Sequence, residues 1–399
     1  MHAEALAILI TVLATKVPEK KRHKVVKVVL LCCFSSFFGH NNLCQVLKAY
    51  NKKSTSLYAI YNSLSFGDFS TMTAMLFEHY ISERLVDLGG ESNSTWSRLS
   101  PTYIIDASIF RTWLKKPENE FFDKFFSGQT GKPEYGYKIT LGGMAIGDTF
   151  YPLSFYVSSK KHTDSEIAQI LLYDMHRVIK QIEMDNNLKF GQLYLSVDSG
   201  YSHPDLFEYA EKLKIIPISV PKKNHLFEID GKNINLTDFI DNVFIPKEEK
   251  YYSENGKETQ PFTLRIRAIY KCRKTEVVLL FFRLAKSDNV SVVYSTDLDI
   301  KAKTLRHHWF QRTHIEQFFR FCKHTLELAT STYSSVDDFL KKICLFFLKA
   351  LFCTIIRNAV RRKKGMKKIT FGTIRSLVTT RRIGEQWLID LMNLDTSFE

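Results

Sequence analysis

The sequence predicts an α/β fold, a mixed sheet flanked by helices, with an N-terminal helical domain and a β-rich insertion. Three observations carry this. Near residue 101 the apolar period changes from helical to strand-like. Hairpin-joined strands then give way to alternating helix and strand. From 221 to 300 the pattern returns to strands, and after 301 to helices.

Residues 1–100 read as helical, with apolar positions at helical spacing punctuated by Gly39-His40-Asn41-Asn42 and Ser65-Phe66-Gly67-Asp68. Lys16, Lys20, Lys21, Arg22, Lys24, Lys27, Lys48, Lys52 and Lys53 make this part basic. Lys52–Leu64 reads as a helix capped by Ser54 or Thr55, with Tyr58 and Tyr61 on one side. A small DNA-binding domain and a helical subdomain that only packs on the rest fit almost equally.

Tyr103-Ile104-Ile105-Asp106-Ala107-Ser108 is the first strand. Tyr137–Ile146 and Phe150–Val157 are two more, joined at Gly147-Asp148, a hairpin signal. Thr163-Asp164-Ser165-Glu166 has capping-box spacing and opens a helix to about Glu183. Gln192–Asp198 is a strand, Pro204–Lys214 a helix and Ile215–Val220 a strand. The order β-β-β-α-β-α-β is that of a ribonuclease-H-like core. One acid ends the first strand (Asp106) and another the fourth (Asp198), so neighbouring parallel strands would set them side by side.

The segment 221–300 shows little helical pattern. Phe262–Tyr270 alternates at period two, Glu276–Leu284 and Val290–Tyr294 are further strands, and Pro246–Gln260 is a polar loop. An insertion of this length has the size of a small domain. The expected division is 1–100, a catalytic part from 101–220 and 301–360, the insertion 221–300, and a basic segment 361–399. Asp337–Val360 reads as a buried helix. The cations Arg357, Arg361, Arg362, Lys363, Lys364, Lys367 and Lys368 at its end favour phosphate contact over a merely solvated helix end.

The stretch Trp309–Lys323, WFQRTHIEQFFRFCK, carries the densest chemistry. As a helix with Arg312 at zero, it places Glu316 at roughly 40°, Lys323 at roughly 20° and Trp309 at roughly 60°. An aromatic, two cations and an acid share one stripe, while Phe318 and Phe321 turn toward a core. A carboxylate between cations suits a place where a metal and a phosphate meet; a plain i,i+4 pairing of Arg312 with Glu316 is the simpler account. Asp106 could likewise only cap a turn, and Asp198 only shape a β-to-α turn. Metal-assisted phosphodiester chemistry would need such oxygen ligands, because two hard cations about 3.5–4 Å apart stabilise both attacking and leaving oxygens.

The spacing aromatic-x2-Arg-x3-Glu-x6-Lys resembles the Y-R-E-K signature of bacterial insertion-sequence DDE transposases, here Trp309, Arg312, Glu316 and Lys323. The resemblance extends over about residues 100–330: Tyr103–Ser108 is similar to the family's first-acid strand, Gly136–Ile139 to its second strand, and Val197–Tyr201 to its second-acid segment. It implies a ribonuclease-H-like core whose catalytic acids are Asp106, Asp198 and Glu316, with the insertion lying between the second and third. It also implies two Mg²⁺ ions held by those acids, with Mn²⁺ able to substitute. The implied chemistry is nicking at element ends, then attack of the freed 3′-OH on target DNA. The implied partners are DNA, at the element ends and the target duplex, and a second copy of the chain, since two ends must be paired. Trp309, Arg312 and Lys323 would contact DNA. Lys138 points either toward the site or to the strand surface. Arg361, Arg362, Lys363 and Lys364 join the DNA-binding set through their charge. Two departures stand out. Trp309 replaces the family's Tyr, keeping stacking and one N–H donor. The insertion holds no Trp for the base-stacking step some relatives use in a DNA-hairpin reaction; Tyr251, Tyr252 and Phe262 are its aromatic alternatives. A DNA-binding descendant without activity, and a ribonuclease-H-like nuclease that cuts without joining, are the competing readings.

Charge and cysteines fit this picture. A net charge of +14 over 399 residues suggests a polyanion partner. The seven cysteines are odd in number, lack CxxC spacing and lie mostly in apolar runs, so they read as reduced core residues and not as a zinc site. His162 and Asp164 read as a loop residue and a helix-cap residue. The apolar start MHAEALAILITVLATK lacks a basic n-region, and Val25–Phe38 and Leu345–Ile356 are short and carry lysine. No membrane segment is expected, and the location expected is cytoplasmic, with the nucleoid when bound to DNA.

Overall fold

A computed structural model describes residues 96–111, 120–127, 131–147, 149–159, 161–187, 189–222, 225–255, 261–283, 289–325 and 336–364, with a few positions in 65–74; of 355–364 it describes the backbone alone. The basic N-terminal domain expected at 1–100 therefore falls almost wholly outside the described residues, as do 365–399. The chain divides into two compact units, Leu88–Thr112 with Lys116–Glu316, and Met1–Asp87 with Trp113–Lys115 and Gln317–Glu399.

The first unit is built on a single mixed sheet. Its strands are β1 (Thr102–Arg111), β2 (Phe122–Ser127), β3 (Lys132–Ile146), β4 (Thr149–Val157), β5 (Leu193–Val197), β6 (Ile215–Ser219), β7 (Leu226–Ile229), β8 (Lys232–Asn235), β9 (Thr263–Tyr270), β10 (Thr275–Arg283) and β11 (Val290–Ser295). The spatial order is β2-β3-β1-β5-β6-β11-β10-β9-β7-β8, with β4 paired to β3. β1 runs parallel to β5 and β5 parallel to β6, while β3 lies antiparallel to β1. This is the mixed, helix-flanked sheet that the sequence order predicts.

Helix α1 (Asp164–Asp185) crosses between β4 and β5. Its start is fixed by a full capping box: Glu166 N–H donates to Thr163 Oγ1, and Thr163 N–H donates to Glu166 Oε2. Its apolar stripe, including Leu171 and Met175, packs over the sheet where Gly142 leaves room, since a Cβ there would lie 2.9 Å from Met175 Sδ. Helix α2 (Pro204–Lys212), with Pro at its first turn, crosses between β5 and β6. The β3–β4 hairpin turns at Gly147, whose φ of +58° glycine adopts without a Cβ penalty.

The insertion does not form a separate sheet. β11 pairs antiparallel with β6 through Tyr294↔Ser219 and Ser295↔Ile218, and β10, β9 and β7 continue outward. Three strands were not expected from sequence, β2, β7 and β8. The β7–β8 hairpin turns at Asp230 (φ +50°) and Gly231 (φ +74°), an Asp-Gly signal of the kind that favours tight hairpins. The expected polar loop at 246–260 is corrected. Helix α3 (Leu236–Phe239) and a π turn lead into helix α4 (Ile245–Asn255). Pro246 falls in the first turn of α4, where it is tolerated, and Lys and Glu are good helix formers. Glu248 is buried because Arg283 of β10 donates to it at 2.7 Å, so a helix with little apolar surface is tied to the sheet. The aromatic alternatives pack on one another: Tyr251 lies 5.3 Å from both Tyr252 and Phe262, and Phe262 N–H donates to Tyr252 Oη.

On the sheet face opposite α1 lies helix α5 (Ala302–Gln311). It covers a core of Tyr194, Ile218, Val278, Leu280, Phe282, Val293, Ile300 and Leu305, with Trp309 and Phe310 packed against its rim. Helix α6 (Thr313–Arg320) follows, then a π turn at Phe321–Thr325.

In the second unit the described part is mainly the end of α6, the π turn and helix α7 (Val336–Lys364), and Phe318 of α6 meets Phe347 of α7 at 5.9 Å. Phe318 and Phe321 are buried, as their spacing predicts. Cys322, Cys344 and Cys353 are buried thiols, whereas Cys272 in the β9–β10 turn is exposed.

Candidate active site

Backbone register brings the first two acids together. The last parallel pair between β1 and β5 is Ile105↔Val197. Asp106 and Asp198 are the next residues along each chain, beyond the carboxyl end of β5, where ligands of open α/β sheets gather. The expectation that Asp106 ends its strand is corrected, because β1 runs on to Arg111 and Asp106 pairs with Leu141 of β3. Asp106 accepts from Ala107 N–H at 2.8 Å. Asp198 Oδ1 accepts from Gly200 N–H at 2.8 Å and Tyr201 N–H at 3.3 Å, and its carbonyl accepts from Ser219 Oγ. The turn account of Asp198 thus describes one of its oxygens; Oδ2 makes no hydrogen bond among the described residues.

Glu316 arrives from α6. The stretch is not one straight helix, and the single stripe expected over Trp309–Lys323 is corrected in this respect. Arg312 closes α5 with helical dihedrals but tightened bonds: Arg312 N–H donates to Trp309 O and Ile315 N–H to Arg312 O, both three residues back. Thr313 causes the tightening, because its hydroxyl bonds back to Phe310 O at 2.8 Å. Arg312 and Glu316 still meet, with Nη2 2.5 Å from Oε1. Arg312 Nη1 also lies 3.8 Å from Asp106 Oδ2, and its guanidinium sits 4.9 Å from the Trp309 ring centroid.

Electrostatics report the same convergence. Burial, with the charges of Asp198 and Glu316, pushes the Asp106 carboxyl up to about 7, against the lowering pull of Arg312 and the Ala107 bond.

The remaining candidates scatter. Lys138 turns onto Asp164, donating to both carboxylate oxygens at 2.6 Å. This pair lies near the site, because buried Tyr201, bonded to Thr140 Oγ1 at 3.4 Å, feels Asp164, Asp106 and Asp198 together. Lys323 is half-buried in the π turn and belongs to the second unit. Arg361, Arg362, Lys363 and Lys364 form the last turn of α7, and their side chains lie outside the described residues.

Sequence reasoning missed His308. It is 3% exposed, stacks on Tyr194 at 3.6 Å and shares a 2.7 Å hydrogen bond between Nδ1 and Thr102 Oγ1. It therefore ties α5 to β1 and β5. A histidine doublet on the apolar side of a helix was its only signal.

A family model described as the transposase DDE domain matches residues 98–351. The chain belongs to this family. No curated protein matches it. The transposase match begins just before β1 and ends inside α7, so it contains Asp106, Lys138, Asp198, Trp309, Arg312, Glu316 and Lys323, and not Arg361–Lys364. DDE transposases use divalent metal ions, and the residues present can be asked whether they fit one. Asp106, Asp198 and Glu316 supply the hard oxygen ligands that Mg²⁺ prefers, and burial with the neighbouring charge of Asp198 raises the Asp106 carboxyl. Yet no group of three or more such side chains among the described residues has metal-holding geometry. Arg312 contacts two of these acids, at 3.8 Å from Asp106 and 2.5 Å from Glu316. The donor set fits the ion, and the arrangement fits a guanidinium. Among the described residues no helix is long and apolar enough to cross a membrane.

Proposed function

We propose that this DDE transposase is active, with Asp106, Asp198 and Glu316 as its catalytic acids, nicking DNA at element ends and joining the freed 3′ end to target DNA. In the first step water attacks a phosphodiester, one P–O bond forms, one breaks, and a 3′-OH leaves. In the second that hydroxyl attacks a target phosphodiester, again exchanging one P–O bond for another. The three carboxylates would hold the Mg²⁺ ions, which activate the attacking oxygen and stabilise the leaving one. Arg312 and Lys323 neutralise phosphate charge beside the cut, Trp309 and Lys138 complete the near contacts, and Arg361, Arg362, Lys363 and Lys364 add affinity for the DNA backbone. The working form is a dimer, because two element ends are paired.

The observation that supports this reading best is the β1–β5 register, which leaves Asp106 and Asp198 adjacent beyond Ile105↔Val197. The test is Asp198→Ala, with end cleavage and strand joining assayed separately in Mg²⁺ and then Mn²⁺. Both activities should fall by more than roughly a hundredfold, since even changes behind a metal's ligands cost about 10- to 100-fold. DNA affinity should hold, because removing a negative charge does not weaken attraction to phosphate. A folded Asp198→Ala protein that cleaves at near-parent rate refutes the assignment. Parent protein that cleaves and never joins is a nuclease instead.

A further inference from the structure

Trp309 stands at the departure from the Y-R-E-K spacing it resembles, and its surroundings give it a task besides touching DNA. Its indole is anchored at the rim of the core beneath α5. Its ring carries the Arg312 guanidinium at 4.9 Å, a cation–π contact that holds a flexible side chain in one orientation. In that orientation Arg312 reaches Glu316 at 2.5 Å and approaches Asp106 at 3.8 Å. The Thr313 bond to Phe310 O shortens the turn between platform and acid and fixes their spacing. A Mg²⁺ ion binds carboxylate oxygens at about 2.0–2.1 Å in strict geometry. A guanidinium in contact with Glu316 Oε1 repels such an ion and takes up part of the negative charge that would draw it. The position between Asp106 and Glu316 is therefore held by a cation belonging to the chain.

We propose that Trp309 is a positioning residue that parks Arg312 as a latch over Asp106 and Glu316 in the DNA-free protein, and that a DNA phosphate draws Arg312 away and opens the acids to the metal. The inference rests on the catalytic reading above. Phosphate and metal both favour the unlatched state, so each strengthens binding of the other. The latch is weak enough to be displaced: Glu316 is 42% exposed, and such ion pairs in water contribute little. It keeps an uncommitted transposase from loading metal away from DNA.

The test is Mn²⁺ binding to the full chain by electron paramagnetic resonance, with and without a short DNA duplex, subtracting Mn²⁺ held by the duplex alone. The parent should bind Mn²⁺ on the order of tenfold more tightly with DNA. Trp309→Leu keeps every charge and removes the platform, so it should bind Mn²⁺ more tightly without DNA and gain little from it. Trp309→Phe retains a ring face and should behave like the parent. Arg312→Lys keeps the charge without the planar fork and should behave like Trp309→Leu; it carries the test if the melting curve shows Trp309→Leu unfolded. Mn²⁺ affinity of the parent that is indifferent to DNA, or variants that all match the parent, overturns the latch. Failure of the catalytic reading looks different: Asp198→Ala would then bind Mn²⁺ as the parent does, or no form would bind it at all.

Discussion

Asp106 and Asp198 are held by main chain, and Glu316 is held by a side chain. The first two follow the last residues that pair β1 with β5 and accept bonds from neighbouring main-chain N–H groups, Asp106 within β1 and Asp198 in the turn after β5. Neither can move without shifting strands in the middle of an 11-stranded sheet. Glu316 sits on α6, beyond a tightened turn, and its partner is a guanidinium resting on an indole. The difference separates what a fold fixes from what a binding partner can rearrange. Interior packing resists small displacements, while exposed ion pairs exchange readily. A site made of both kinds of support has a rigid half that defines where chemistry happens and an adjustable half that decides when.

The largest expected effect comes from the rigid half. Burial, and then the like charge of Asp198, raises the Asp106 carboxyl to about 7. A carboxyl with a raised folded pKa costs stability above that value, and the cost fades as pH falls toward the ordinary range near 4. Asp106→Asn should therefore stabilise the metal-free protein at pH 8, by an amount on the order of 1 to 4 kcal/mol, with the gain shrinking by pH 5. Urea denaturation of parent and variant at both pH values measures it. A variant less stable than the parent at pH 8 would mean that the site carries no like-charge strain.

An intermediate effect is expected at the joint between the halves. His308 binds α5 to Thr102 of β1 and Tyr194 of β5, and burial, with the charge of His307, holds its imidazole down to about 3. Folded His308 stays neutral where the unfolded residue takes a proton. Its contribution is whole above about pH 6.5 and is lost as pH falls toward 3, by about 2 kcal/mol at pH 5. Asp106 titrates in the opposite sense, so the measurement is the difference between parent and His308→Phe. The stability gap between them should narrow or reverse between pH 7.5 and pH 5. A gap constant with pH contradicts the burial of a neutral ring.

The smallest effect belongs to the adjustable half. Glu316→Ala removes one exposed i,i+4 partner and should change stability by no more than ~0.5 kcal/mol, even though the acid is proposed to be catalytic. A loss well beyond that, read from the same denaturation curves, would place Glu316 among the structural supports and erase the contrast.

Much of this was legible in the sequence because the deciding forces are local. Strand-like apolar runs, alternating at period two in β9, revealed β1, β3, β4, β5, β6, β9, β10 and β11, and Thr163 with Glu166 marked the start of α1. The spacing of Arg312 and Glu316 on a helix sufficed to pair them. Helix α4 was hidden because its packing rests on a buried Glu248–Arg283 pair across the fold, and a polar segment alone does not announce that. The short strands β2, β7 and β8 lacked the length for a periodic signal, although Asp230-Gly231 marked a turn. What only tertiary structure decided was the company each charge keeps. Lys138 faced two equal possibilities until α1 set Asp164 against it. The adjacency of Asp106 and Asp198 needed the pairing Ile105↔Val197, and the meeting of Arg312 with Asp106 needed α5 to lie on the face opposite α1. Local pattern fixes which residues are helix, strand or turn, because those choices are made within a few residues of chain. Which carboxylate meets which cation is settled by contacts between residues hundreds apart, such as Asp106 and Arg312, and no short-range rule contains them.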